Sequence, residues 1–320
     1  MKGKHHLIVQ SRYLKYEMDF CRNITVIQGD SATGKTTLVD MIREYNLNGN
    51  DTGISVQSDL PCRVLEGMNW EEDLDRIQGC LVFIDEGNRF VASEIFARKI
   101  QGTDNYYVIV TRESMDNLPY SVTEIYGIRS SGKYASLTPV YHQMYRIYGD
   151  LSPAVTGKPS NIITEDSNSG YEFFRKVADG KGIPCVAAGG SGSVFEEILR
   201  HGQEMSVVVA DGAAFGPQMK RVYQLIERQK NAVLYLPESF EWIILSAEIL
   251  QDTEVRDILN NPSDFIDGAE YVSWERFFTK LLVEKTAGSH LAYVKKKLNP
   301  VYIQGGYFDK IIKVLPDIFN

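Results

Sequence analysis

Cysteine is scarce in this chain: there are four in 320 residues, Cys21, Cys62, Cys80 and Cys185. None forms a CxxC pair and no Cys/His group has zinc-ligand spacing, which argues against a disulfide framework and against a zinc site. The four are expected to be reduced core residues. No run approaches twenty apolar residues, and the N-terminus lacks the long apolar stretch of a secretory leader. The expected location is therefore the cytoplasm, with no membrane partner. Positive charge is not in excess either, with 34 Lys and Arg against 42 Asp and Glu and a net charge of -8. That balance argues against a wholly basic nucleic-acid binder, but not against a local basic groove. Lys4-His5-His6 is too short for a tag or a metal site.

What is present is an ordinary globular composition, 43% hydrophobic and 24% charged, with length enough for two domains. The 18 tyrosines read first as packing residues. One stretch organises the first half: Gly29-Asp30-Ser31-Ala32-Thr33-Gly34-Lys35-Thr36-Thr37, which fits GxxxxGK(S/T). Before it, Ile24-Thr25-Val26-Ile27 reads as a strand, and after it apolar residues recur at helical spacing. Strand, glycine loop and helix together are the setting of the phosphate-binding loop (P-loop) of nucleoside triphosphatases. Gly29 and Gly34 allow the backbone to turn, the loop N–H groups and the helix N-terminus attract phosphate, Lys35 reaches the β/γ-phosphates and Thr36 ligates Mg²⁺. The implied ligands are ATP and Mg²⁺, with ATP preferred over GTP because no Asn/Thr-Lys-x-Asp guanine-reading motif is present.

Cys80-Leu81-Val82-Phe83-Ile84-Asp85-Glu86 is an apolar strand ending in two carboxylates, the Walker B pattern. Asp85 is expected in the Mg²⁺ shell, and Glu86 is expected to polarise the attacking water. Tyr106-Tyr107-Val108-Ile109-Val110-Thr111-Arg112 is a further buried strand. Thr111 or Arg112 at its end is placed to sense the γ-phosphate, or Arg112 forms an ordinary strand-end salt bridge. Residues 88–100 read as helix, and 121–128 and the stretch from Tyr134 as strands. A hairpin over residues 7–20 ahead of the loop resembles the opening of ATP-binding-cassette ATPases. There an aromatic stacks on adenine, a role open to Tyr13 or Tyr16, although a plain strand tyrosine is the commoner outcome. Against that resemblance, no LSGGQ-like signature is present, Ser130-Ser131-Gly132-Lys133 being a poor substitute, and there is no long insertion between the two Walker motifs.

Residues 151–160, rich in Pro, Gly and Ser, read as a linker after a first domain over 1–150. Strands and helices then alternate over 161–240, implying a second parallel sheet. Glycines Gly189, Gly190 and Gly192 read as a turn rather than a second phosphate loop. Residues 241–320 read as a helical C-terminal region, with helices over 242–250, 253–259, 274–285, 291–298 and 308–315. The fold class expected is α/β, with two parallel-sheet domains followed by helices.

Acids sit where strands of the second half end: Glu165, Asp211, then Glu238 and Glu241. Such carboxylates can form a hard-oxygen Mg²⁺ site. The layout resembles the Toprim domain of topoisomerases, primases and OLD-family nucleases. Glu165 matches its first acid. Asp211-Gly212-Ala213-Ala214-Phe215-Gly216 matches DxDxxG except that Ala213 stands where the second Asp belongs. Pro237-Glu238-Ser239-Phe240-Glu241 resembles the Pro-x-x-x-Glu segment of OLD-like members. The resemblance implies Glu165, Asp211 and Glu241 as metal ligands, with Glu238, Glu241 or Asp166 compensating for the missing carboxylate. Asp166 also reads as a helix cap, and the whole half as a flavodoxin-like regulatory module. Lys295-Lys296-Lys297 can meet a nucleic-acid backbone or form a solvated face.

Taken together, the resemblance is to OLD-family proteins, which join an ATPase to a Toprim nuclease in bacterial or phage conflict. It implies ATP hydrolysis by Lys35, Thr36, Asp85 and Glu86 controlling Mg²⁺-dependent cleavage of DNA or RNA, with a homo-oligomer or protein partner possible in principle. The alternative is an ATP-dependent binding module with a degenerate Toprim-like half, which Ala213 favours. A third resemblance, covering 1–150 alone, is to zonula-occludens-toxin-like phage assembly ATPases.

Overall fold

The computed structural model describes residues 1–29, 33–130, 140–149 and 158–320. Its chain divides into two compact units, Met1–Gly149 with Asn261–Val272, and Asp150–Asn260 with Ser273–Asn320. Both are α/β.

The first unit is built on a nine-stranded sheet. Its strands are β1 (His5–Gln10), β2 (Leu14–Phe20), β3 (Ile24–Ile27), β4 (Ser55–Ser58), β5 (Cys62–Val64), β6 (Leu81–Ile84), β7 (Tyr106–Val110), β8 (Ile125–Ser130) and β9 (Val140–Arg146). They lie in the order β4-β1-β2-β9-β8-β3-β7-β6-β5. From β8 through β5 every pairing is parallel, while β1 pairs antiparallel with β2 and β4, and β8 antiparallel with β9. Strands β3, β6 and β7 are buried along their whole length, as continuous apolar runs at the centre of a parallel sheet must be. β1 alternates buried and exposed residues. The helix Lys35–Asn48 lays Leu38, Val39, Met41 and Ile42 against Leu81, Phe83, Val108 and Val110 of that sheet.

The second unit holds β10 (Asn161–Thr164), β11 (Cys185–Ala187), β12 (Ser206–Val209) and β13 (Ala232–Tyr235), all parallel, in the order β11-β10-β12-β13. The chain leaves β10 to one side for β11 and then crosses to the other for β12, so the order in which strands are added reverses between β10 and β12. In open parallel sheets that is where ligands bind, outside the carboxyl ends.

The C-terminal helices are not a separate region. Phe308, from the helix Gly305–Val314, packs 5.5 Å from Phe173, and Phe319 packs 5.3 Å from Phe174, so they close over an aromatic core on the helix Ser169–Lys181. The segment Asn261–Val272 instead joins the first unit, where Ser263 accepts a hydrogen bond from the Gly3 N–H and Val272 one from Asn23. No helix forms over 291–298. There the Tyr293 N–H donates to the Thr286 hydroxyl and the Asn299 amide caps the carbonyls of His290 and Ala292, holding an irregular strap. The helix expected over 88–100 is broken at Ser93, which caps the helix Glu94–Ile100 through the Phe96 N–H. The cysteines are free, and burial pushes the Cys62 thiol up to about 12. The 151–160 linker, up to residue 157, and Ser131-Gly132-Lys133 lie outside the described residues.

Candidate functional site

Parallel pairing puts the ends of β3, β6 and β7 at one edge: Ile27 is in register with Val110, and Ile84 with Ile109. The residues that follow those strands are the glycine loop, Asp85-Glu86 and Thr111-Arg112. Of the loop, Asp30, Ser31 and Ala32 lie outside the described residues.

Gly34 adopts φ +88° at the start of the helix Lys35–Asn48, a left-handed conformation suited to glycine. That helix has no side-chain cap and no acidic residue in its first turn, so its positive end is not offset locally. Lys35 is buried, and its ammonium donates to the Gly29 carbonyl and the Thr33 hydroxyl, both at 2.9 Å. It is thus folded onto the loop where a phosphate oxygen would compete for it. The Thr36 hydroxyl lies 3.5 Å from Asp85 Oδ1. Two hard oxygens facing each other beside this glycine loop are donors of the kind Mg²⁺ takes. Burial raises the Asp85 pKa, a penalty that a cation would relieve. Thr37 continues the first helical turn beside them.

Arg112 is in an ion pair with Glu86, its Nε 2.8 Å from Oε1 and 3.1 Å from Oε2. The strand-end salt bridge is therefore made, and its partner is the expected water-polarising carboxylate itself. Tyr16 is not an adenine platform. It is fully buried, donates its hydroxyl to the Gly34 carbonyl at 2.8 Å, and stacks on His142 at 4.4 Å. His142 in turn shares a 2.9 Å hydrogen bond with Ser130. This support behind the loop was not foreseen; its only sequence signal is the polar His among strand residues. Tyr13 is exposed, with Arg12 over its ring.

In the second unit Glu165 follows β10 and Asp211 follows β12, on either side of the reversal point, and the Asp211 N–H donates to Glu165 Oε2 at 3.0 Å. A small cavity of about 20 Å³, room for about one water, is lined by Thr164, Glu165, Asp166 and Asp211 together with Phe174 and Phe240. Glu241 is buried on the helix Phe240–Ser246 and accepts a 2.8 Å hydrogen bond from Tyr293, whose hydroxyl also meets Ser169. Asp166 is not the N-cap of the helix Ser169–Lys181, which is Asn168, but from two residues ahead it accepts the Tyr171 N–H of the first turn at 3.0 Å. Gly189 and Gly190 have positive φ, and the Gly190 N–H binds the Glu165 carbonyl, a turn rather than a phosphate cradle. Ala213 is buried. Asp211 needs glycine after it because a Cβ at Gly212 would lie 2.4 Å from the Leu236 carbonyl oxygen.

Burial raises the pKa of Glu165 to about 7, assisted by Glu275 and Asp166, and raises Asp211 well above the usual range, with Glu275, Glu165 and Glu241 adding repulsion. Lys295 answers that charge. Its ammonium pairs with Glu275, and although burial opposes the charge, Glu241, Glu275 and Asp211 raise its pKa. Among the described residues, no group of three or more His, Cys, Asp or Glu side chains is arranged to hold a metal ion. Asp211 thus feels the charge of Glu165 and Glu241, but the three do not form a ready metal site. Glu275, Tyr293 and Lys295 were not visible as site residues in the sequence, because they come from distant segments. Of the Lys295-Lys296-Lys297 run, Lys295 turns inward while Lys296 and Lys297 are exposed. Among the described residues no helix is long and apolar enough to cross a membrane.

No family model matches the chain, and no curated protein is significantly similar to it.

Proposed function

We propose that this chain is a P-loop ATPase whose nucleotide state controls a Toprim-like second unit. The observation that carries the reading is the arrangement at one sheet edge of Lys35 and Thr36 beside Asp85, with Glu86 and Arg112 two residues past their neighbouring strands. In this reading Lys35 exchanges its contacts with Gly29 and Thr33 for the β/γ-phosphates. Mg²⁺ held by Thr36 and Asp85 screens the phosphate charge. Glu86 orients the attacking water once a γ-phosphate draws Arg112 away from it. The test is ATP turnover by the full chain. Lys35→Ala abolishes nucleotide binding and Glu86→Gln abolishes turnover with binding retained. Failure of the wild-type chain to bind ATP by calorimetry overturns the proposal.

For the second unit, the strand order, the acids flanking the reversal point and the Pro237-to-Glu241 segment support a Toprim-like fold. A Mg²⁺-dependent nuclease is one reading, with Glu165, Asp211 and Glu241 toward metal and DNA or RNA as substrate. The other is a degenerate module that binds a partner or nucleic acid without cutting. Ala213 and the Lys295 ammonium among the carboxylates favour the second. Plasmid incubated with Mg²⁺ or Mn²⁺, with and without ATP, separates them: cleavage lost in Glu165→Ala or Asp211→Ala supports the nuclease.

A further inference from the structure

We infer that the acidic cluster of the second unit carries its own cation, the ammonium of Lys295 paired with Glu275, in place of a divalent metal. The inference rests on the Toprim-like reading only in that a metal would otherwise be expected there.

Four observations converge. The acids that act on one another here are Glu165, Asp166, Asp211 and Glu241, with Glu275 from the helix Trp274–Thr286, yet no three of them are arranged to hold a metal ion. Asp166 is committed to a backbone N–H and Glu241 to the Tyr293 hydroxyl. The position from which the resemblance would draw a further carboxylate is Ala213. Lys295 pairs with Glu275 and supplies the positive charge that Asp211 and Glu165 feel.

The strap delivers that ammonium from a fixed backbone. The Lys295 carbonyl accepts the Ser169 N–H at 3.1 Å, the Tyr293 N–H binds Thr286 at 3.0 Å, and the Leu298 N–H binds the Glu172 carboxylate at 2.9 Å. Withdrawing the side chain to admit a dication would leave Glu275 unpaired. Keeping it there would set two positive charges against each other beside the same buried carboxylates. A tethered ammonium therefore neutralises the acids and, in doing so, competes with metal.

The test is Mn²⁺ calorimetry on the full chain without nucleotide, the site being identified by its loss in Asp211→Asn. The wild type is expected to show no Asp211-dependent site. Lys295→Met should gain one, binding at least about tenfold tighter than any in the wild type, and Lys295→Met/Asp211→Asn should lose it. Lys295→Arg, which keeps the charge, should behave as wild type. An Asp211-dependent Mn²⁺ site in the wild type, shown by its loss in Asp211→Asn, overturns the inference, and that measurement stands even if the methionine variant fails to fold. No gain in a folded Lys295→Met chain also overturns it. ATP turnover in the same preparations reports separately on the first unit, so its loss would not be mistaken for failure here.

Discussion

Replacing Gly34 by Ala should damage the proposed phosphate loop in a way that Tyr16 controls. Gly34 has φ +88°, and a Cβ there would lie 2.7 Å from the Tyr16 hydroxyl and 3.0 Å from His142 Cε1. A left-handed L-residue costs about 1–2 kcal/mol. Forcing a methyl group against a buried tyrosine and a stacked histidine adds about 1–3 kcal/mol. Gly34→Ala should therefore destabilise the chain by about 2–5 kcal/mol, unless the loop distorts instead, in which case ATP affinity falls. Tyr16→Phe alone loses one hydrogen bond to the Gly34 carbonyl, about 0.5–1.5 kcal/mol. In the double variant the closest obstacle is gone and that hydrogen bond can be lost only once. The two effects should then sum to less than their parts by about 1 kcal/mol or more. Urea unfolding of the four proteins, with calorimetric ATP titration of each, measures this. A Gly34→Ala chain within about 0.5 kcal/mol of wild type with normal ATP affinity, or strictly additive variants, would refute the geometry argued for the loop.

Arg112→Ala should change stability by less than about 1 kcal/mol, because its partner is half exposed, yet lower ATP turnover about tenfold or more with little change in affinity; a rise in turnover would instead make Arg112 a restraint on Glu86. Glu165, whose pKa is raised from 4.5 to about 7, binds more protons folded than unfolded between those values. Its contribution should make stability fall as pH rises through that window, by on the order of 1–3 kcal/mol. Glu165→Gln should flatten that fall, and urea curves that stay parallel to wild type would count against the assignment. Gly212→Ala should lower the thermal midpoint by several degrees, since backbone at Leu236 has to move; an unchanged midpoint would show that β12 and β13 have slack at their ends.

Much of the architecture was legible because central parallel strands are continuous apolar runs. Ile24–Ile27, Leu81–Ile84, Asn161–Thr164 and Ser206–Val209 all form strands where hydrophobicity and β-branching placed them. Glycine spacing and strand-end acids likewise marked both candidate sites. What stayed hidden depends on side chains brought together from far apart in sequence. A lysine in a basic run reads as solvent-facing until Ser169, Thr286 and Glu172 fix the strap that turns it inward. The strap itself read as helix because Leu291, Val294 and Leu298 have helical spacing. Side-chain hydrogen bonds from Thr286 and Asn299 override that pattern. Tyr16 is the strand tyrosine that the sequence favoured over a base-stacking one, but only its register opposite His142 shows that it sits behind the loop.

The return of Asn261–Val272 to the first unit has a practical corollary. Neither unit is a contiguous stretch of sequence, so the chain must pass between them three times. A fragment ending at residue 149 would lack the segment that binds Gly3 and Asn23, and one starting at 158 would carry that segment without its partners. The two halves are therefore not exchangeable cassettes. Biochemical dissection calls for point variants in the full chain, or for permuted chains that keep 261–272 with the first unit, rather than truncation.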